Sequence, residues 1–331
     1  MGDVAMTFPV IRAFVKQHPD VKITFISRPF FKPFFDDIPN LHFFAFDAKE
    51  RHKGFLGLIR LFNDVRKLDI DAFADLHNVL RSKVVRTLFA LSGKKVASVD
   101  KGRAEKKALT RAENKVFKPV TSMFERHVKV FQELDFQIDL TNPIFPFKQK
   151  MDKEIIDLIG EKKQNWIGIA PFAQYDSKVY PQDLMQKVID LLDENPNNKI
   201  LLFGGGNKEI EILNQFAEGK KIVIVIAGKT TFKQELQLIS NLDVMLSMDS
   251  GNAHIAAMLG VKVITLWGAT HPYAGFLPFN QTMENALVSD RNQFPKLPTS
   301  VYGNKKVEGY EDAMRTIKPE EIVEKINSNL G

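Results

Sequence analysis

A short polar run in the second half of the sequence has residue types that could bind phosphate. Asp249, Ser250 and Gly251 directly follow the mostly apolar run 244–248, and His254 comes three residues later. This order predicts a buried strand that turns into a helix at Ser250. A helix start can hold phosphate, because its free backbone N–H groups and its dipole point at the ligand. An ordinary strand–helix joint with a serine cap fits the same residues, so both interpretations stay open at this point.

Three further turns in this half follow predicted strands and would meet at the same sheet edge. They contain Lys178, Glu209 after three glycines, and the run Gly228, Lys229 and Thr230. An isolated Lys or Gly at such a position is usually structural, and neither a Walker A loop nor a dinucleotide-binding glycine motif is present. Together the turns predict a glycine-rich edge with Lys and carboxylates, which suits a phosphorylated sugar or a nucleotide.

The acidic residues carry no metal signature. The one DxD pair, Asp69 and Asp71, falls at the start of a predicted strand, and there is no HExxH or EF-hand loop. We therefore expect no metal and no other cofactor, and a leaving diphosphate would be neutralised by Lys178 and the helix start at Ser250. Asp3 precedes a predicted helix over 6–18, where it could either cap that helix or act as a general base.

The elements that would position these residues alternate between strand and helix. Four strands are predicted in the first half, near 23–28, 42–47, 71–77 and 95–100, and the second half repeats the plan. One helix of the first half would turn its apolar face inward through the following residues: Phe55, Leu58, Leu61, Phe62 and Val65. This alternation predicts the α/β class, with two Rossmann-like doubly wound domains and parallel sheets. The Pro-containing stretch 141–150 is the predicted linker, so the domains would span 1–147 and 148–331.

Composition narrows the class of protein and partner. The 331 residues include no Cys, which excludes disulfides, a thiolate zinc site and a Cys nucleophile. The net charge of +6 suggests an anionic partner, such as nucleotide phosphate, an anionic lipid surface or nucleic acid. No nucleic-acid-binding motif is present, so we expect no nucleic-acid partner.

Four blocks of sequence resemble the motifs of one family. MGDVAMTFPVIRAF resembles an N-terminal GDxxxxxP motif, ADLHNVLRSKVVRTL is similar to a DLxxxxRS segment, and SKVYP resembles KxWP. The long block from GKTTFKQ to TLWGAT keeps an acid-[ST]-G-x-x-H core. These are motifs of glycosyltransferase family 9, the heptosyltransferases of lipopolysaccharide core synthesis, and the resemblance runs nearly from end to end.

The resemblance implies a GT-B architecture, in which two Rossmann-like domains face each other across a cleft and the last helix packs back towards the first domain. It also implies metal-independent, inverting transfer from a nucleotide-activated sugar, typically ADP-L-glycero-D-manno-heptose. The acceptor would be a growing lipid-linked core at the cytoplasmic face of the inner membrane of a Gram-negative bacterium. Members of the family usually carry a strand before the GD motif. We therefore expect a natural start upstream of Met1, and a first domain that lacks this strand here.

The resemblance implies roles for individual residues. Asp3 would be the catalytic base, Lys178 would hold the diphosphate, and Asp249 would bind the sugar hydroxyls. Glu209 would bind the nucleotide ribose, and the turn 228–230 would lie near the nucleobase. The complete donor-binding set is Lys178, Glu209, Gly228, Lys229, Thr230, Asp249, Ser250, Gly251 and His254.

Two basic segments of the first half, 49–67 and 101–118, are predicted to face the phosphorylated acceptor or the anionic leaflet. The residues expected to make these contacts are Arg51, Lys53, Arg60, Arg103, Lys106 and Lys107. Two other functions stay open. One is a GT-B enzyme with another nucleotide-sugar, such as a different transferase or an epimerase, and the other is a non-catalytic binding protein of this fold. The presence of Asp3, Lys178 and Asp249 favours an enzyme.

Overall fold

The computed structural model describes residues 1–330, and these divide into two compact units. The first unit comprises residues 3–103 and 121–144, and the second comprises 104–120 and 145–330. The division at 144 falls inside the predicted linker. The segment 104–120 belongs to the second unit, although the sequence division at 147 had assigned it to the first domain.

The first 144 residues form short strands that alternate with helices. The helices are α1 (Gly2–Gln17), α2 (Gly54–Arg66), α3 (Leu80–Leu91), α4 (Arg103–Thr110) and α5 (Met123–Gln132). The strands are β1 (Ile23–Ser27), β2 (Leu41–Ala45), β3 (Ala72–Asp75) and β4 (Lys95–Ser98). All four lie where the sequence predicts them. Helix α1 begins four residues earlier than predicted, so Asp3 lies in its first turn.

The strands of the first unit form two separate parallel pairs, β1 with β2 and β3 with β4. A groove of about 1420 Å³ lies in this unit, and residues of β1, β3 and α1 line it. Helix α2 buries Leu58, Leu61, Phe62 and Val65, as its sequence period predicts. Phe55 is exposed, so its expected inward position is wrong. Phe55 lies in the first turn of α2, before the buried residues of this helix begin at Gly57.

The second unit contains one six-stranded parallel sheet in the order β10–β9–β8–β5–β6–β7. Its strands are β5 (Asn165–Ala170), β6 (Asn198–Leu202), β7 (Val223–Val225), β8 (Val244–Met248), β9 (Lys262–Trp267) and β10 (Ala286–Val288). Its helices are α6 (Lys153–Ile159), α7 (Gln182–Asp193), α8 (Asn207–Ala217), α9 (Phe232–Ser240), α10 (Gly251–Met258) and α11 (Pro319–Asn329). The predicted doubly wound parallel arrangement is therefore present in this unit.

The sheet of the second unit lies in the hydrophobic core of that unit. All five residues of β8 are buried, because this strand has paired neighbours on both sides and helices cover the sheet. The last helix, α11, places Ile322 and Ile326 in this same core. The sequence had suggested that this helix packs back towards the first domain. Within residues 1–330, no helix is long and apolar enough to cross a bilayer.

Candidate active site

Three side chains meet at the carboxyl ends of three neighbouring strands in the second unit. Lys178 follows β5, Asp249 follows β8 and Thr270 follows β9, and the sheet order makes these strands adjacent. Nζ of Lys178 lies 3.1 Å from Oδ2 of Asp249. The hydroxyl of Thr270 donates to the same oxygen over 2.9 Å. The sequence prediction that Lys178 and Asp249 share one edge is confirmed.

Close packing fixes the stem of Lys178. The hydroxyl of Ser177 donates to the carbonyl of Gly303 over 2.6 Å, which draws the loop near 303 onto the turn that carries Lys178. Gly303 has a φ of +83°, and a Cβ atom there would lie only 2.6 Å from Cγ of Lys178. The backbone N–H of Ala269 donates to the carbonyl of Ser177 over 3.0 Å, which ties the turn to the end of β9. The lysine is therefore held from two sides.

Helix α10 starts next to this cluster. Ser250 occupies the predicted N-cap position, but its hydroxyl does not cap the helix and lies 3.1 Å from the hydroxyl of Ser247. The first-turn N–H groups of α10, beginning at Gly251, therefore point towards the strand end and have no side-chain cap. His254 is buried on the same helix, one turn further on. The predicted turn from strand to helix at Ser250 is present, and phosphate binding there stays a prediction.

Glu209 lies at the next strand end along the edge. It belongs to the first turn of α8, which follows β6, and its Oε2 accepts the N–H of Gly205 over 2.7 Å. A Cβ atom at Gly204 would lie 3.1 Å from the same carboxylate oxygen. Because Gly204 has no side chain, the half-buried carboxylate of Glu209 can lie close to the backbone of this turn.

The turn 228–230 ends the row of candidates at β7. Gly228 has a φ of +76°, and a Cβ atom there would lie 2.9 Å from Cδ1 of Ile210 on α8. Thr231 caps α9 and its side chain accepts the N–H of Gln234. The hydroxyl of Thr230 is buried and has no hydrogen-bond partner among residues 1–330. Lys229 is exposed on the same turn. The ends of β9, β8, β5, β6 and β7 span roughly 19 Å, at about 4.8 Å per strand.

Asp3 belongs to the first unit. Its carboxylate is largely exposed and lies 3.9 Å from Nε2 of His77. The turn after β3 presents His77, because Oδ1 of buried Asp75 accepts the backbone N–H groups of His77 and Asn78. Burial lowers the pKa of His77, while the charge of Asp3 acts in the opposite direction. Burial also lowers the pKa of Lys101, again against the effect of Asp3. Asp3 thus has a histidine and a lysine beside it.

The six basic candidates have different surroundings. Arg51 forms two hydrogen bonds with the carboxylate of Asp64, each of 2.8 Å. Lys106 is only 3% exposed, and its ammonium lies 4.1 Å from the ring centre of Phe276. The expectation that Lys106 faces an anionic surface is therefore not met, because it shares the buried face of α4 with Leu109. The remaining four, Lys53, Arg60, Arg103 and Lys107, are exposed.

Sequence reasoning missed Thr270, Gly303 and His77. Thr270 could have been found, because it follows a predicted strand next to the one that ends at Asp249. Gly303 lies in an irregular stretch with no periodic pattern, so its contact with Lys178 depends entirely on tertiary packing. Within residues 1–330, no group of three or more His, Asp or Glu side chains is arranged to hold a metal ion.

Comparison with known proteins gives a consistent match. The model of "Glycosyltransferase family 9 (heptosyltransferase)" matches residues 58–305. Lipopolysaccharide heptosyltransferase 3 of Escherichia coli K12 is 26% identical over 315 residues, which cover 90% of this chain and 87% of that protein. The glycosyl transferase family 9 structure from Veillonella parvula DSM 2008 has a TM-score of 0.75 at 18% identity, covering 99% and 94% of the two chains.

A second structure, E. coli heptosyltransferase WaaC with ADP, has a TM-score of 0.69 at 17% identity and covers 99% of this chain and 96% of that one. At these identities the similarity shows a shared fold. The GT-B class expected from the sequence is thereby confirmed.

Proposed function

The chain belongs to glycosyltransferase family 9, and from this we propose that it moves a heptose from ADP-heptose to a lipopolysaccharide core acceptor. The observation that carries the proposal is the family match over 58–305, which contains Lys178, Glu209 and Asp249. Relatives along most of the chain are named lipopolysaccharide or lipooligosaccharide heptosyltransferases. The proposed acceptor is lipid-linked and anionic, so the reaction would occur at the cytoplasmic face of the inner membrane.

The edge of the second unit would bind the donor. Lys178 and the uncapped start of α10 bring positive charge to one place, where they would neutralise the leaving diphosphate. Asp249, which Thr270 orients through a 2.9 Å hydrogen bond, would accept hydrogen bonds from the sugar hydroxyls. This division of roles needs no metal ion, because the protein itself supplies the positive charge.

The nucleotide would lie along the rest of the row. Glu209 would accept hydrogen bonds from the ribose hydroxyls, since its carboxylate already lies against the glycine turn after β6. The turn 228–230 would contact the base, and the buried hydroxyl of Thr230 would gain the hydrogen bond that residues 1–330 do not give it. A row of roughly 19 Å suits an extended ligand of base, ribose, diphosphate and sugar.

Asp3 would be the general base. The acceptor hydroxyl attacks the anomeric carbon on the face opposite the diphosphate, so the configuration inverts. The new C–O bond forms as the bond to the diphosphate oxygen breaks, and Asp3 takes the hydroxyl proton. A general base contributes about 10²–10⁴-fold to such a step. The carboxylate of Asp3 is largely exposed, so an acceptor hydroxyl has access to it.

Thermal shift with ADP, GDP and UDP tests the donor assignment. ADP should raise the melting temperature of wild-type protein at a lower concentration than GDP or UDP does. Lys178→Met should remove most of this shift, and Lys187→Met, which changes an exposed lysine on α7, should keep it. A stronger response to UDP would favour another nucleotide-sugar. Transfer that stops after EDTA treatment and returns with a divalent cation would contradict metal independence.

A further inference from the structure

Two large apolar side chains are exposed side by side on the first turn of α2. Phe55 is 66% exposed and Leu56 is 69% exposed. The same helix buries Leu58 and Leu61 against the first unit, so its inward face is already complete. Scattered exposed apolar residues are common, but two adjacent large ones at a helix start form a small apolar tip. We call Phe55 and Leu56 the apolar tip.

Basic residues surround the apolar tip. The segment 49–67 contains six Lys or Arg and two acidic residues. Arg60 follows Leu56 by four residues, so both lie on the same outer face of α2. The ion pairs of this segment join Arg51, His52 and Lys67 to Asp64. Lys49, Lys53 and Arg60 are exposed, and their charge adds to the positive end of the helix dipole.

The loop before α2 holds the apolar tip in a fixed place. Oδ1 of Asp47 accepts the N–H groups of Lys49 and Glu50, which closes a tight turn. Buried His52 lies 3.2 Å from Asp64, and Arg51 binds the same carboxylate through two hydrogen bonds. These bonds, chiefly those from Arg51, lower the pKa of Asp64 to about 2, so it stays ionised at neutral pH. The tip is therefore presented by an ordered loop.

The apolar tip and Asp3 both lie near carboxyl ends of strands in the first unit. Helices α2 and α3 both follow parallel strands, so both begin at the carboxyl ends of those strands. The guanidinium of Arg81, in the first turn of α3, lies 6.0 Å from the ring centre of Phe46, just after β2, so side chains from the segments after β2 and β3 reach each other. Asp3 lies beside His77, which follows β3.

We propose that the apolar tip inserts into the interface of an anionic lipid bilayer, with Lys49, Lys53 and Arg60 against the headgroups. Apolar side chains flanked by basic residues fit the boundary between headgroups and acyl chains, where both contributions add. A protein partner would need a larger apolar area than two side chains supply. The link to catalysis rests on the proposed function, since this contact would turn the edge with Asp3 towards a lipid-linked acceptor.

Vesicle sedimentation tests the proposal with matched variants. Wild-type protein is mixed with vesicles of phosphatidylcholine alone or with added phosphatidylglycerol, which is anionic. Phe55→Ser/Leu56→Ser should lower binding to the anionic vesicles by about tenfold or more, given the apolar burial lost. The control Leu91→Ser/Phe147→Ser removes the same residue types at positions that are 80% and 93% exposed. It should bind as wild type does, and an equal loss in both variants would overturn the proposal.

A tryptophan probe measures insertion directly. Trp166 and Trp267, the two tryptophans of the chain, are buried in the second unit. In the Phe55→Trp variant, brominated phosphatidylglycerol should therefore quench only the added indole, and Leu91→Trp should show no quenching. Equal quenching of the two probes, or none at position 55, would refute insertion. Dimerisation that the Phe55→Ser/Leu56→Ser change abolishes would instead identify a second copy as the occupant and also refute it.

The test of membrane binding can fail or succeed independently of the test of the proposed transfer reaction. Transfer to an acceptor fragment without lipid should be equal in wild type and in Phe55→Ser/Leu56→Ser, because neither side chain belongs to the catalytic or donor-binding set. Loss of vesicle binding with intact transfer supports the membrane role, whereas vesicle binding without any transfer contradicts only the proposed function.

Discussion

Substitution of Gly303 by Ala tests how the donor edge is positioned. Gly303 has a φ of +83°, and its added Cβ would lie 2.6 Å from Cγ and 2.7 Å from Cδ of Lys178. Real Cβ contacts of this kind are ordinary only from 3.4 Å upwards, so the lysine stem or the loop must move by about 0.8 Å. The middle of the lysine side chain cannot simply move aside, because both of its ends are held. Ser177 anchors the neighbouring backbone, and Asp249 binds the ammonium group.

The magnitude follows from two contributions. A left-handed φ costs a non-glycine residue about 1–2 kcal/mol, which lowers stability wherever it occurs. A displacement of about 1 Å at a reacting group can cost about 10²-fold in rate. Gly309 provides the matched control, since its φ is +76° and a Cβ there meets nothing within 4 Å. Gly303→Ala should therefore lose about 10–100-fold in kcat/KM, and Gly309→Ala less than about twofold.

The assay compares both variants by acceptor-dependent ADP release and by thermal denaturation. Each variant should melt a few degrees below wild type, because each pays the backbone cost. Only Gly303→Ala should lose activity beyond what the change in stability explains, and its ADP affinity should fall with it. Equal activity in the two variants would refute the idea that close packing at Gly303 positions Lys178.

Three further predictions concern single side chains. Asp3→Asn should abolish transfer and leave ADP binding unchanged in calorimetry. The control Asp20→Asn, at an exposed position on the first unit, should be active. Transfer by Asp3→Asn would show that Asp3 is not the general base. Thr270→Val should raise the donor KM about tenfold, because Asp249 loses a hydrogen bond to its charged oxygen, and an unchanged KM would argue against that role. Burial raises the pKa of Glu235 to about 7, so the folded protein keeps a proton that the unfolded chain releases near 4.5. The free energy of unfolding of wild type should therefore fall as pH rises through this window. In urea denaturation, the free energy of unfolding of Glu235→Gln should exceed that of wild type by at most about 3 kcal/mol at pH 8 and by little at pH 5. The same difference between variant and wild type at both pH values would contradict this prediction.

Periodicity and strand-end rules predicted most of the donor edge. The apolar run before Asp249 identified β8, and the parallel sheet order then brought Lys178 and Asp249 to one edge. This works because buried parallel strands are nearly continuous apolar runs, and ligands bind at their carboxyl ends. The four strands of the first half were predicted from short apolar runs that alternate with helices, although most of their residues are only half-buried.

Other features depend on packing that no local pattern encodes. Phe55 has the spacing of a core residue, yet it is exposed at the first turn of α2. Lys106 belongs to a basic segment that the sequence places at the surface. Its side chain nevertheless packs with the buried face of α4, and its ammonium lies over the ring of Phe276. The contact of Gly303 with Lys178 joins residues more than a hundred positions apart. Residue type alone could not predict these three environments.

Heptose transfer itself is the most direct test of the central claim. Purified protein is incubated with ADP-heptose and a core acceptor that lacks the terminal heptose, and the product is analysed by mass spectrometry and by NMR of the new anomeric linkage. We predict a mass increase of one heptose, ADP release only when acceptor is present, and an anomeric configuration opposite to that of the donor. No mass increase with ADP-heptose, together with transfer from a UDP- or GDP-linked sugar, would contradict the proposed donor and with it the account.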